Sequence, residues 1–299
     1  MPYTEVQERN GKKYYYRVLS VRRGKVVAKR RVYLGASLAR KELSKKEASA
    51  DRELDVLSGL LSTKELNFLD GVKRRLSHEP KSTSNNRYEY FVSLFTYDSN
   101  AIEGNTLTLE ETAQLLFEGI VPPKSLREVN EALNHKKAFD ALLAYRGDMS
   151  KKLVCKLHEL VVKDTLRKEL EPQTGKYRSV QVYIRGVDWF PPKPKNVPRE
   201  MKNLLSWYSK NRKKLHPVVL ASYFHAAFEM AHPFVDGNGR VGRLLMNFIL
   251  RKNGYPMVNV PNRIKRRYYA ALQSAQTEGN LRPFVELILD IYRAGKVVL

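Results

Sequence analysis

The chain has 299 residues, 42% of them apolar, so it can hold one large domain or two small ones around a real core. Its single cysteine, Cys155, excludes an intrachain disulfide and speaks against a cysteine-based zinc site. No run approaches eighteen apolar residues and residues 1–5 lack an apolar signal core, which gives the expectation of a soluble cytoplasmic protein with no membrane partner. The formal net charge of +23 fits a nucleic-acid or acidic-protein partner, and equally a lysine-rich solvated surface.

Residues 14–34 read as a β-hairpin. Tyr14, Tyr15, Tyr16, Val18, Leu19 and Val21 form one β-prone run, Arg22-Arg23-Gly24-Lys25 the turn, and Val26, Val27, Val32, Tyr33 and Leu34 the return strand. Lys12, Lys13, Arg17, Arg22, Arg23, Lys25, Lys29, Arg30 and Arg31 crowd the segment. Cations interleaved with aromatics bind nucleic acid, and cations on strand edges also prevent aggregation. Residues 37–50 read as a linker or exposed helix.

From Asp51 the pattern turns helical. Three capping boxes open helices: Ser62-Thr63-Lys64-Glu65, Thr108-Leu109-Glu110-Glu111 and Ser125-Leu126-Arg127-Glu128. Gly119 stops the second, and Ser150 caps a further helix bearing Leu153, Leu157 and Leu160. His158, a lone histidine on the apolar side of its helix, reads as a packed core residue, and so does His225, because its seven-residue step to His232 is not metal spacing. Residues 174–194 break the helical run, with Val180, Val182 and Ile184 in alternation, and predict a second hairpin. Pro198 and Pro217 start two more helices, and residues 268–275 and 283–292 close the chain as two others.

Between two of these helices lies His232-Pro233-Phe234-Val235-Asp236-Gly237-Asn238-Gly239-Arg240-Val241-Gly242-Arg243. Glycines at the mouth of a helix leave backbone N–H groups for an anion, and Arg240 and Arg243 can each grip phosphate oxygens with a planar fork. Asp236 would repel phosphate unless Mg2+ bridged them. His232 has the side chain suited to act as a general base near neutrality, and a helix N-terminus close by would lower its pKa and keep it neutral. The spacing is neither that of a P-loop nor that of a dinucleotide fingerprint.

His-Pro-Phe-x-Asp-Gly-Asn-Gly-Arg-x-x-Arg resembles the signature of the Fic family at every fixed position. The resemblance implies a mainly α-helical Fic/Doc-like bundle with a β-hairpin flap, preceded here by a small basic β-rich extension. It implies transfer of AMP from ATP, with Mg2+, to a Ser, Thr or Tyr hydroxyl of a target protein or of the chain itself. Carried over, His232 is the base, Asp236 holds Mg2+, Gly237, Asn238 and Gly239 form the anion nest, and Arg240 and Arg243 hold the outer phosphates. Ser99-Asn100-Ala101-Ile102-Glu103-Gly104 resembles the family's inhibitory motif, so Glu103 is expected to pair with Arg243. Val180, Val182 and Ile184 would form the target-docking flap. Doc-type relatives that phosphorylate carry Lys at the place of Gly239, which favours AMP transfer here.

The expected divisions are residues 1–50 as the basic extension, 51–123 as helices with the inhibitory motif, and 124–299 as the Fic core. Two alternatives stay open: AMP removal with Glu103 positioning water, and a nucleic-acid-binding protein that uses its basic arm. The sequence also leaves open another nucleotide and a homodimer masking the Glu103 helix.

Overall fold

In the computed structural model the described residues are 3–9, 11–23, 26–54, 57, 59–78, 80–184, 187 and 189–295. The chain opens with a three-stranded antiparallel sheet in the order β1 (Tyr3–Arg9), β2 (Lys12–Arg23), β3 (Val26–Ala36). The β2–β3 pair is the expected hairpin, and its tip at Gly24 and Lys25 lies outside the described residues. A bulge sets Tyr15 opposite Gly35 but Tyr16 opposite Tyr33, and at this place the strand bends. β1 is an addition to the sequence reading. Its one aliphatic residue, Val6, gives no apolar run, and it is held by pairing along β2.

Helix α1 (Arg40–Leu54) covers the polar stretch read as linker or helix, and it packs back on β2 and β3. Glu47 accepts from the Thr4 hydroxyl and pairs with Arg17 at 3.7 Å. Val18, Leu34 and Ala50 are buried in this unit, apart from the main hydrophobic cluster.

The remainder is helical: α2 (Thr63–Ser77), α3 (Ser84–Ile102), α4 (Leu109–Ala113) running into a π-type turn, α5 (Leu126–Ala144), α6 (Lys151–Val162), α7 (Val197–Asn211), α8 (Pro217–Ala231), α9 (Asn238–Lys252), α10 (Lys265–Thr277) and α11 (Arg282–Arg293). All three capping boxes form, at Ser62, Thr108 and Ser125, each glutamate side chain reaching back to the cap. Gly119 closes its helix in the left-handed conformation, φ 73°.

The bundle is built around α9. Nearly every residue from Asn238 to Leu250 is buried, against α8 on one side and α3, α5 and α6 on the others. A helix enclosed on all sides is rigid, so its N-terminal turn is a fixed platform. Asn247 locks the loop after it, exchanging hydrogen bonds with the Val258 backbone at 2.9 and 2.7 Å. Asp98 ties α3 to the same loop, accepting from Asn259 Nδ2 at 2.5 Å and the Asn262 N–H at 2.7 Å. Among the described residues no helix is long and apolar enough to cross a membrane.

Candidate active site

Helix α8 stops at His232, whose backbone takes the left-handed conformation (φ 43°, ψ 61°) while its N–H still bonds Phe228 O at 2.9 Å. A non-glycine residue there costs about 1–2 kcal/mol, so the surroundings must hold it. Arg178 does much of this. Its N–H donates to Pro233 O and its Nε to His232 O, both at 2.8 Å. Asn238 then staples the loop, receiving the Phe234 N–H on Oδ1 and donating Nδ2 to Phe234 O, each at 2.9 Å. Phe234 is buried, its ring parallel to that of His158 with centroids 3.8 Å apart. His158 accepts the Gly175 N–H on Nδ1 at 3.0 Å, and burial lowers its pKa to about 4, so it is a neutral support for the loop.

His232 lies at the wall of a cavity of about 490 Å³. Its Nδ1 is 3.3 Å from Glu229 O. A carbonyl only accepts, so Nδ1 carries the proton and Nε2 keeps its lone pair. Burial lowers the His232 pKa to about 4, with Arg178 adding to the shift and the Glu229 carbonyl opposing it. The sequence reading credited a helix N-terminus with keeping this ring neutral; desolvation is the main cause.

Gly237 (φ 75°) begins α9 with no capping side chain. The Gly237 N–H donates to Asp236 Oδ1 at 2.5 Å, and the N–H groups of the turn after it are left for an anion. Asp236 bonds Arg240 and Arg127, both at 3.2 Å, while Glu131 bonds Arg127 at 3.1 Å and lies 3.4 Å from Arg240. Burial would raise the Asp236 pKa, but Arg240, the Gly237 N–H and Arg127 outweigh it and hold the carboxyl below its ordinary value. Arg240 is buried, with Nε and Nη1 lacking hydrogen-bond partners.

Arg243 is 1% exposed. It donates to Ser99 twice, Nε to Oγ at 3.0 Å and Nη2 to the carbonyl at 2.7 Å, and Nη2 pairs with Glu103 Oε1 at 2.8 Å. Burial opposes its charge, but Tyr268 and Glu103 outweigh burial and raise its pKa. Glu103 reaches it from the C-terminal cap of α3. The same carboxylate lies over the first turn of α9: a Cβ at Gly239 would collide with Glu103 Oε1. Glu103 thus occupies the place an anion would take at this helix N-terminus.

Residues 148–250 match the Fic/DOC family. The protein adenylyltransferase Fic of Drosophila melanogaster is 36% identical over 257 residues, covering 83% of this chain. The chain belongs to the Fic/DOC family. It spans about half, 50%, of that relative's length, and 49% of the Drosophila persimilis protein of the same name, to which it is 35% identical. A Fic-domain-containing signaling protein from Bacteroides thetaiotaomicron superposes with a TM-score of 0.70 at 26% identity, covering 78% of this chain and 95% of its own. Fic-1 from C. elegans gives a TM-score of 0.69 at 29% identity, covering 87% of this chain and 77% of its own.

Within this Fic fold, His232, Asp236, Gly237, Asn238, Gly239, Arg243 and Glu103 line one cavity, and Ser99 adjoins it through Arg243. Arg240 is turned away, into the Asp236–Glu131 network. Of the three flap residues, Ile184 lines the cavity, Val180 is exposed and Val182 is half-buried. The expected β-hairpin ladder is absent among the described residues of this segment; Arg185, Gly186 and Asp188 lie outside them. Side chains join the two arms instead. Arg178 bonds Val180 O and Pro192 O, and Gln181 bonds Val182 O and Pro191 O. Pro191, Pro192 and Pro194 have no N–H to donate, so a backbone ladder has few donors on that arm.

The sequence reading missed four contributors. Arg127 and Glu131 sit on α5, and no local pattern ties them to Asp236. The Tyr268 hydroxyl lies 2.7 Å from His225 Nε2 and accepts from Arg243 Nη1 at 3.4 Å. Glu229 is buried with Oε1 unpartnered, filling the space a Gly242 side chain would take. Burial and Glu103 raise its pKa to about 8, against the pull of Arg243. Its signal was a lone acid in the apolar run of α8.

Proposed function

We propose that this chain transfers AMP from ATP to a hydroxyl side chain of a protein, and that Glu103 restrains it by holding Arg243. The observation that carries both halves is the Glu103 carboxylate, bonded to Arg243 at 2.8 Å and lying on the N-terminal turn of α9. The Drosophila relatives bear the name protein adenylyltransferase, which supports the reaction class.

In the competent state the N–H groups of Asn238 and Gly239 would receive a phosphate, with Arg243 freed to neutralise the departing pyrophosphate. Tyr269, Leu272, Gln273 and Gln276 line the same cavity and offer apolar surface and amides for the base. His232 Nε2 would accept the proton of the attacking hydroxyl. The negative charge of bound nucleotide would raise its pKa from about 4 toward the working range, where general bases supply roughly 10² to 10⁴-fold.

Among the described residues no three metal-ligating side chains converge. Asp236 offers one ionised carboxylate, the donor set for Mg2+ that draws its other ligands from phosphates and water. When bound, Mg2+ supplies charge neutralisation of the phosphates, and Asp236 would exchange Arg127 for it. The exposed pair Tyr183 and Phe190, edge to face at 5.9 Å, presents a surface for the target next to the cavity mouth.

The test is incubation of wild type, Glu103→Gly, and Glu103→Gly with His232→Ala with ATP and Mg2+, read by intact mass. The expected outcome is an added AMP on the single variant, less on wild type, and none on the double variant. Adduct levels equal in wild type and Glu103→Gly would remove the restraint. An adduct surviving His232→Ala would remove the base.

A further inference from the structure

We propose that the face of the three-stranded sheet opposite α1 binds single-stranded nucleic acid. The inference does not rest on the transfer reaction, and uses a part of the chain outside the site.

Strand alternation and register sort the side chains. Tyr14 and Tyr16 point to one face, Tyr16 lies opposite Glu5 and Tyr33, and Tyr3 and Arg31 flank Val18 on that same face. The other face carries Thr4 and Arg17, and α1 covers it through Glu47. Tyr3, Tyr14, Tyr16 and Tyr33 gather on this side around a buried Val18. Tyr16 and Tyr33 have ring centroids 5.2 Å apart, Tyr14 and Tyr33 6.5 Å. Tyr33 is 54% exposed and Tyr3 41%.

Exposed cations surround these rings on the same face: Lys12 opposite Arg9, Lys29 opposite Ser20, and Arg31 at 3.4 Å from Glu5. Residues 1–36 hold ten Lys or Arg against two Glu. Blunting of the edge strands would account for cations on β3. It does not account for the exposed rings of Tyr3 and Tyr33 on this face. An acidic protein would satisfy the cations and leave the rings unused. A strand of nucleotides satisfies both, its phosphates on the cations and its bases stacked on tyrosines. A duplex keeps its bases stacked inside, where these rings cannot stack on them.

The test is fluorescence anisotropy of the full chain with labelled oligo(U) and oligo(dT), an RNA or DNA duplex, and poly-glutamate as competitor, over a salt series. Expected are binding to either single strand at low salt, weaker duplex binding, and affinity that falls steeply with salt. A preference between oligo(U) and oligo(dT) identifies the sugar. Tyr33→Ser should weaken binding about tenfold with circular dichroism unchanged, and Tyr33→Phe should retain it. Arg31→Gln should lower the salt slope by roughly 0.7. If Tyr33→Ser unfolds the sheet, Tyr3→Ser on the same face gives the stacking readout. No binding at low salt, duplex bound as well as single strand, or binding abolished by poly-glutamate and indifferent to both tyrosine variants would overturn the proposal.

Discussion

Gly239 is required by a neighbour rather than by its own backbone. It sits in a helical turn with Glu103 where its side chain would be. Alanine normally stabilises a helix interior over glycine by about 1 kcal/mol. Gly239→Ala should instead destabilise wild type, because the new methyl expels Glu103. In the Glu103→Gly background it should be neutral or stabilising. Urea denaturation of the four proteins should give a coupling of roughly 1–2 kcal/mol. Glu229 offers a second test, with a definite sign. Its folded pKa of about 8 lies above the unfolded carboxyl value, so the unfolded chain releases this proton first as pH rises. Its contribution is greatest below about pH 4.5 and declines up to about pH 8. Glu229→Gln removes that slope. Thermal melts should show the variant gaining on wild type from pH 5 to pH 8, by on the order of 2–4 kcal/mol. The two residues differ in legibility. Glu103 stood in a readable short motif, and the signature residues in another. Glu229, Arg127 and Tyr268 owe their places to packing between α5, α8, α9 and α10, and that information is not local.

The elements divide by the range of the forces that shape them. Ser62, Thr108 and Ser125 were readable as helix starts because a capping box is complete within four residues. The signature helix was equally readable, since Gly237 and the apolar run after it define its start and buried faces. β1 was not, because its stability comes from register along β2. The flap was half legible. Alternation at Val180, Val182 and Ile184 gave extended chain, but the sequence did not show that Arg178 would replace a ladder. Arg178 bonds four carbonyls: His232, Pro233, Val180 and Pro192, three through its guanidinium. Burial lowers its pKa, yet it stays charged at neutral pH. Arg178→Lys keeps the charge and loses the fork. Hydrogen exchange in residues 177–192 should quicken, and, on the proposed transfer reaction, AMP incorporation should fall by on the order of tenfold, since each lost charged hydrogen bond is worth about 1.5–3 kcal/mol. Unchanged exchange would mean the segment is held by its own apolar contacts.

At the scale of the molecule, the chain is a helical bundle with a basic sheet attached through α1. Val18, Leu34 and Ala50, buried in the sheet and α1, lie outside the bundle's hydrophobic cluster. Deleting residues 1–54 should therefore leave the melting temperature of the bundle within a few degrees of the full chain, by differential scanning calorimetry. A collapse of the transition would show that the sheet supports the core. The boundary expected at residue 50 falls inside α1. Within the bundle, α3 presents Ser99 and Glu103 to one guanidinium, and Asp98 fixes that helix to the loop beyond α9. On the proposed function, Glu103 is a tethered competitor for the phosphate position. Its effective concentration is set by the fold and does not change when the protein is diluted. On the transfer reading, nucleotide can overcome such a competitor, so the restraint would make this Fic domain a sensor of nucleotide supply.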